Sequence, residues 1–178
     1  MFNFLKKRRH PKKPDKLERV IRFKDRHYLG LECYNASDLY LQYGNLAIGQ
    51  YTRERNDGER KIAGPKPEGY QPSADMGSYK VFESKVKLRW RDKADNPISY
   101  VFDFEDIFKD KIIPHVKEDE DRILWEAEYP YIYPPGIIIE VDDRTLNIYS
   151  DLDVALKIPG TDEVEQRRDL IKVFSKTF

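Results

Sequence analysis

A chain of 178 residues, 39% apolar and 36% charged, is long enough to bury one core and cramped for two. Its 12 Tyr, 9 Phe and 2 Trp argue against disorder, and no apolar run reaches the roughly 18 to 20 residues of a membrane-crossing helix. The formal charge is zero, yet residues 1–26 hold eleven Lys or Arg against Asp15, Glu18 and Asp25, a net of +8 that leaves −8 for residues 27–178.

Residues 1–20 are rich in Lys, Arg and Pro, and Pro11 and Pro14 break any helix there, so a basic N-terminal arm is expected ahead of one domain over 21–178. Met1 to Leu5 places apolar residues before the charges of Lys6 to Arg9, the reverse of an export signal. With Cys33 as the only cysteine, no internal disulfide can form. A cytoplasmic protein is expected, with attachment at the inner face of a membrane as the variant.

Tyr28 to Cys33 alternates as a strand, Asn35 to Asp38 turns the chain, and Leu39 to Tyr51 is a second extended stretch interrupted by Gly44 and Gly49. Residues 53–78 contain so many glycines and prolines that a long loop is predicted, one that is either functional or disordered. Val86, Leu88 and Trp90 then share one face opposite Lys85, Lys87, Arg89 and Arg91, and Tyr100, Phe102 and Phe104 return. An antiparallel hairpin over 81–104 follows from this pattern. Asp103 caps a short helix expected near 104–113, with Ile107, Phe108 and Ile112 as its apolar stripe. Arg122 to Glu128 fits a strand without requiring one, and the prolines of Tyr129 to Gly136 exclude regular structure. Residues 137–149 read as a second hairpin. Val164, Ile171, Phe174 and Phe178 recur at helical spacing after Asp162 and Glu165, so a C-terminal amphipathic helix is predicted near 162–176, covering the sheet. The expected fold class is α+β, mainly antiparallel sheet.

Catalytic chemistry finds little support. No glycine pattern cradles phosphate, and His10, His27 and His115 are scattered without a second ligand at i+3 or i+4, so neither cofactor nor metal is expected. Cys33 shares a strand face with Leu29 and Leu31 and reads as a buried small hydrophobe rather than a nucleophile. Asp103, Glu105 and Asp106 are explained by capping and the helix dipole. The expectation is a binding protein, not an enzyme.

Two segments are candidate contact surfaces. In the arm, Phe2, Phe4 and Leu5 beside Lys6, Lys7, Arg8, Arg9, Lys12 and Lys13 suit an anionic membrane surface, while the same cations suit nucleic-acid phosphates; an inert solvated tail is the third reading. In the body, the acidic turn Glu118, Asp119, Glu120 and Asp121 precedes the proline-stiffened Tyr131-Ile132-Tyr133. Charge there would steer a basic protein partner and the aromatics would anchor it.

The Leu29-Gly30-Leu31 strand, the Gly/Pro loop, the Val86 to Trp90 strand, its return at Tyr100 to Asp103 leading into Ile107, and the hairpin at Ile137 to Tyr149 occur in an order that resembles a family of small, uncharacterised bacterial β-rich proteins of the toxin-immunity type. The resemblance implies an inhibitor that occludes a cognate toxin. Many members look like lipoproteins. Here Glu32 fills the small-residue position before Cys33 and no apolar stretch precedes it, so no lipid anchor is expected at Cys33. The primary expectation is therefore an immunity-type protein that neutralises a basic toxin; the alternative is a membrane-surface or nucleic-acid accessory protein acting through the arm.

Overall fold

The computed structural model describes residues 19–50, 61–125 and 130–178. Phe2, Phe4, Leu5, the arm cations Lys6 to Lys13, the first part of the predicted 53–78 loop and the end of the Arg122 to Glu128 stretch lie outside the described residues. Among those described, nine strands carry the fold: β1 (Arg26–Tyr34), β2 (Ser37–Tyr43), β3 (Leu46–Gln50), β4 (Ser78–Lys80), β5 (Val86–Arg91), β6 (Pro97–Phe102), β7 (Gly136–Asp142), β8 (Thr145–Lys157) and β9 (Val164–Thr177). They form a five-stranded sheet ordered β4-β1-β7-β8-β9 and a four-stranded sheet ordered β3-β2-β5-β6. Each pairing of these strands is antiparallel except β1 with β7, which run parallel from Tyr28↔Gly136 to Tyr34↔Asp142.

The period-2 pattern decides which faces meet. Leu29, Leu31 and Cys33 on β1, Ile137, Ile139 and Val141 on β7, and Leu146, Ile148, Leu152 and Val154 on β8 are buried, as are Leu39, Leu41, Tyr43, Val86, Leu88 and Trp90 from the other sheet, all in one core. Trp90 buries its ring there and donates its Nε1–H to the Asp143 carbonyl at 2.8 Å, tying β5 to the β7–β8 turn. Both expected hairpins are present, at β5–β6 and β7–β8. The stretch from Leu39 folds back on itself as the β2–β3 hairpin because Gly44, at φ +54°, supplies the left-handed turn.

Two expectations are corrected. The C-terminal segment is not a helix: Val164–Thr177 is the fourteen-residue strand β9, paired along β8 from Lys157↔Val164 to Thr145↔Thr177. Its register slips between Ile148↔Phe174 and Tyr149↔Lys172, which leaves Val173 as an extra residue. Before that bulge Asp169 and Ile171 share one face; after it Phe174 and Phe178 take the same face, packing on Tyr100 and Trp90. Two strand residues plus one bulged residue thus imitate the three-residue step of a helix. The helix near 104–113 shrinks to one turn, α1 (Phe104–Ile107), with Asp103 accepting from the Glu105 N–H. Beyond it Asp110 and Lys111 adopt positive φ, and the chain leaves to pair with residues 21–23 through Phe23 N–H to Lys111 O and Ile113 N–H to Ile21 O.

Phe104 and Phe108 join Phe23, Phe82 and Tyr43 in an aromatic cluster around His27, which has no exposed surface. His27 Nε2 lies 2.9 Å from Tyr43 Oη and Nδ1 lies 3.0 Å from the Tyr28 carbonyl. Burial drives its pKa below the usual 6.5, against the raising effect of the Tyr28 contact. The folded chain thus refuses a proton that the unfolded chain accepts, so stability should fall as pH drops below about 6.5, by at most about 1.4 kcal/mol per pH unit. Urea unfolding at pH 7, 6 and 5 measures it, and the slope should flatten in His27→Gln.

Candidate functional site

The segment Tyr131 to Pro134 is built as a ridge. Strand β8 runs past the end of β7, and the chain before β7 pairs with this overhang: Ala155 N–H donates to the Pro130 carbonyl at 3.2 Å, Tyr131 bridges to Val154, and Ile132 N–H donates to the Asp153 carbonyl at 3.0 Å. Pro134 and Pro135 then turn the chain into β7, and Tyr28 N–H donates to Pro135 O at 2.9 Å. Anchored on both sides, the ridge holds Ile132 and Tyr133 outward, 42% and 57% exposed.

Tyr133 and Pro134 divide two hollows. One, of about 320 Å³, is bounded by Lys24, Asp25, Arg26 and the side chains of residues 131–134. The other, of about 260 Å³, is bounded by Tyr28, Ala74, Gly136, Asp151 and Asp153 as well as the ridge. Asp151 is held by Arg168 through contacts of 2.6 and 2.8 Å. Asp153 keeps one carboxylate oxygen, Oδ1, buried and without a hydrogen-bond partner among the described residues. The second hollow is therefore lined by two carboxylates, of which Asp151 is already paired with Arg168.

The acidic turn sits on the same β8 edge, since Ile123 bridges to Leu156, two residues from the Tyr131–Val154 bridge. Two of its carboxylates, Glu120 and Asp119, face basic side chains of the chain itself. Glu120 contacts Lys117 at 3.1 Å and His115 at 3.6 Å, Asp119 contacts Arg122 at 3.6 Å, and Arg167 donates to the Glu118 carbonyl. Hydrogen bonding from Lys117 holds the Glu120 carboxyl below its ordinary value despite desolvation. Asp121 belongs to the short 3₁₀ turn that ends at Arg122. The structure thus brings the turn and the ridge, both read from the sequence, to one edge, and adds Asp151 and Asp153, which that reading missed. Their signal was the alternation Asp151-Leu152-Asp153-Val154, which puts both carboxylates on one strand face.

A second polar constellation was also missed. On the outer face of the five-stranded sheet, Glu140 is 2% exposed and accepts from Lys66 Nζ at 2.6 Å, Asn147 Nδ2 at 2.9 Å and Tyr149 Oη at 3.0 Å. Desolvation alone would raise its pKa; the three hydrogen bonds, led by Lys66, outweigh it and hold the carboxyl below the ordinary value. The Lys66 ammonium also lies 5.9 and 5.8 Å from the Tyr34 and Tyr149 ring centres, and Glu32 accepts from Tyr34 and Tyr70. Each member has its partner, so the constellation fastens the 61–77 loop over the sheet. The odd residue in the apolar run Ile137-Ile138-Ile139-Glu140-Val141 was its sequence signal.

Cys33 is buried at 4% exposure, and burial, aided by Asp142, pushes its thiol up to about 12, which suits packing and not nucleophilic attack. Among the described residues no group of three or more His, Cys, Asp or Glu side chains is placed to hold a metal, and no helix is long and apolar enough to cross a membrane. No protein-family model, curated protein or solved structure matches this chain.

Proposed function

We propose that the protein is a non-catalytic binding module whose contact surface is the Tyr133 ridge with its two hollows, and that its partner is a protein presenting cationic side chains. The observation that carries this reading is an outward tyrosine on a doubly anchored ridge, beside a hollow lined by the Asp151 and Asp153 side chains. A rigid exposed aromatic gives large contact area at little entropic cost, and the Asp151 and Asp153 carboxylates lining the hollow would attract a lysine or arginine of the partner. In its narrowest form the reading is an immunity-type protein that neutralises a cationic toxin, consistent with the −8 carried by residues 27–178.

The test is co-expression with adjacent reading frames, followed by co-purification and binding kinetics. Tyr133→Ala should speed dissociation about 30-fold, the scale of a hot-spot residue, with association little changed. Asp153→Asn should weaken binding in the same direction. Replacing Glu118, Asp119, Glu120 and Asp121 by Ser should instead slow association and flatten its salt dependence. If the folded wild-type chain brings down no protein, or if the Tyr133 and Asp153 variants bind as it does, the reading fails.

A further inference from the structure

The two sheets differ in what their outer faces carry. On the five-stranded sheet the 61–77 loop lies against β1 and β7. On the four-stranded sheet Lys87, Arg89, Ser99 and Val101 stay exposed. The register places them in rows: Gly49, Tyr40, Arg89 and Ser99 lie side by side across the four strands, and Ala47, Gln42, Lys87 and Val101 form the next row. Lys85 precedes β5, and Lys87, Arg89 and Arg91 follow along it at two-residue steps, about 6.8 Å apart at the usual strand rise. The Arg89 guanidinium stacks 4.7 Å from the centre of the Tyr40 ring. The carboxylates of Asp38 and Asp95 pair with Arg91, at 3.3 and 3.5 Å. Lys87 and Arg89 have no carboxylate partner among the described residues. Beside this row a hollow of about 320 Å³ opens between Tyr40, Arg89, Pro97 and Ser99, and the Asp38–Arg91 pair also lines it.

We propose that this face binds single-stranded nucleic acid, with Lys85, Lys87 and Arg89 following the phosphates and the Arg89–Tyr40 stack supporting a base. The charge complementarity is that of a polyanion: cations in a line at a regular step, with Tyr40 and Ser99 beside Arg89 and Gln42 and Val101 beside Lys87. A stacked guanidinium leaves one planar face outward, a surface on which a base lies flat whatever its identity. A membrane surface fits less well, because insertion needs bulky apolar side chains beside the cations and Val101 is the only large exposed hydrophobe on these two rows. A duplex fits less well because the major groove admits a helix or a two-stranded ribbon, whereas this face is four strands wide. This surface is separate from the Tyr133 ridge, so either can fail without the other.

Fluorescence anisotropy with a labelled fifteen-nucleotide oligothymidine, read from 50 to 300 mM salt on the full chain, tests the proposal. Lys85→Gln/Lys87→Gln/Arg89→Gln should weaken binding and lower the log K against log salt slope by about 2, at roughly 0.7 per phosphate contact. Tyr40→Leu, which keeps apolar bulk, should weaken binding about tenfold and leave the slope unchanged. Lys87→Gln alone, a fully surface change, should remove about one-third of the slope difference and serves if the triple variant melts early. Replacing Lys6, Lys7, Arg8 and Arg9 by Gln separates the arm: the face effects should persist in that background. The proposal is overturned if the wild type does not bind, if only the arm variant loses binding, or if duplex DNA or phosphatidylserine vesicles bind as tightly and with the same dependence on Lys87 and Arg89.

Discussion

Lys66→Met is expected to destabilise the protein by about 1 to 3 kcal/mol, the cost of leaving a buried polar group short of a partner. Glu140 is enclosed, whereas the Lys66 side chain is 30% exposed, so the two ends of the pair are not equivalent. Removing the lysine strands a carboxylate that cannot reach water; removing the carboxylate leaves an ammonium that can. The pH dependence should invert as well. In the wild type the Glu140 carboxyl is held below 4.5, so its contribution is present above that value and fades as pH falls through the folded pKa. Without Lys66, desolvation should prevail and raise the folded pKa above the unfolded one, so this site should lose stability as pH rises from about 4 to 6. Urea unfolding of Lys66→Met, Glu140→Gln and the double variant at pH 4.5 and 7 measures the coupling. The double variant should recover much of the loss seen in Lys66→Met, and additive effects would contradict the account.

Gly30→Ala should be of similar size, about 1 to 3 kcal/mol, for a steric reason. A Cβ at Gly30 would stand 2.2 Å from the Ser73 carbonyl oxygen, a backbone atom that cannot rotate away. The loop must lift, against Met76 N–H to Leu29 O at 2.8 Å and Leu29 N–H to Gly77 O at 3.1 Å. Hydrogen exchange at Met76 and Leu29 should accelerate well before global unfolding. Gly136→Ala offers a contrast, since its Cβ would meet the Ala74 methyl at 2.6 Å and Ala74→Gly should relieve part of that cost. For Gly30→Ala the same second change should give little relief. Because Ala74 also lines the acidic hollow beside Tyr133, lifting the loop should weaken partner binding in parallel.

What the sequence disclosed follows from which physical signals are local. The β5–β6 and β7–β8 hairpins were readable because alternation and tight turns lie within a few residues of each other. The parallel meeting of β1 with β7 was not, since nothing in Tyr28 to Tyr34 names a partner as distant in the chain as Gly136 to Asp142. In β9 the pattern itself misled, because the bulge at Val173 shifts the phase of alternation and places Ile171, Phe174 and Phe178 at helical intervals. At the candidate site, Tyr131 and Tyr133 stood out through their prolines. Asp153 was passed over because a carboxylate on a strand is ordinary until the lining of a hollow shows that one oxygen lacks a donor.

The parallel β1–β7 pair also orders assembly in time. Strands β2, β3, β5 and β6 fall within residues 37–102, so the four-stranded sheet can close as soon as that stretch exists. Strand β1 must wait: its central neighbour begins at Gly136, and that neighbour is flanked in turn by β8 and then β9, which ends at Thr177. During synthesis the smaller sheet would therefore stand with its apolar face uncovered while Leu29, Leu31 and Cys33 have no sheet to join. Such a chain should refold slowly for its size and be most prone to aggregate just before its last strand is made, so that loss of residues 164–178 alone would harm yield more than their half-exposed side chains suggest.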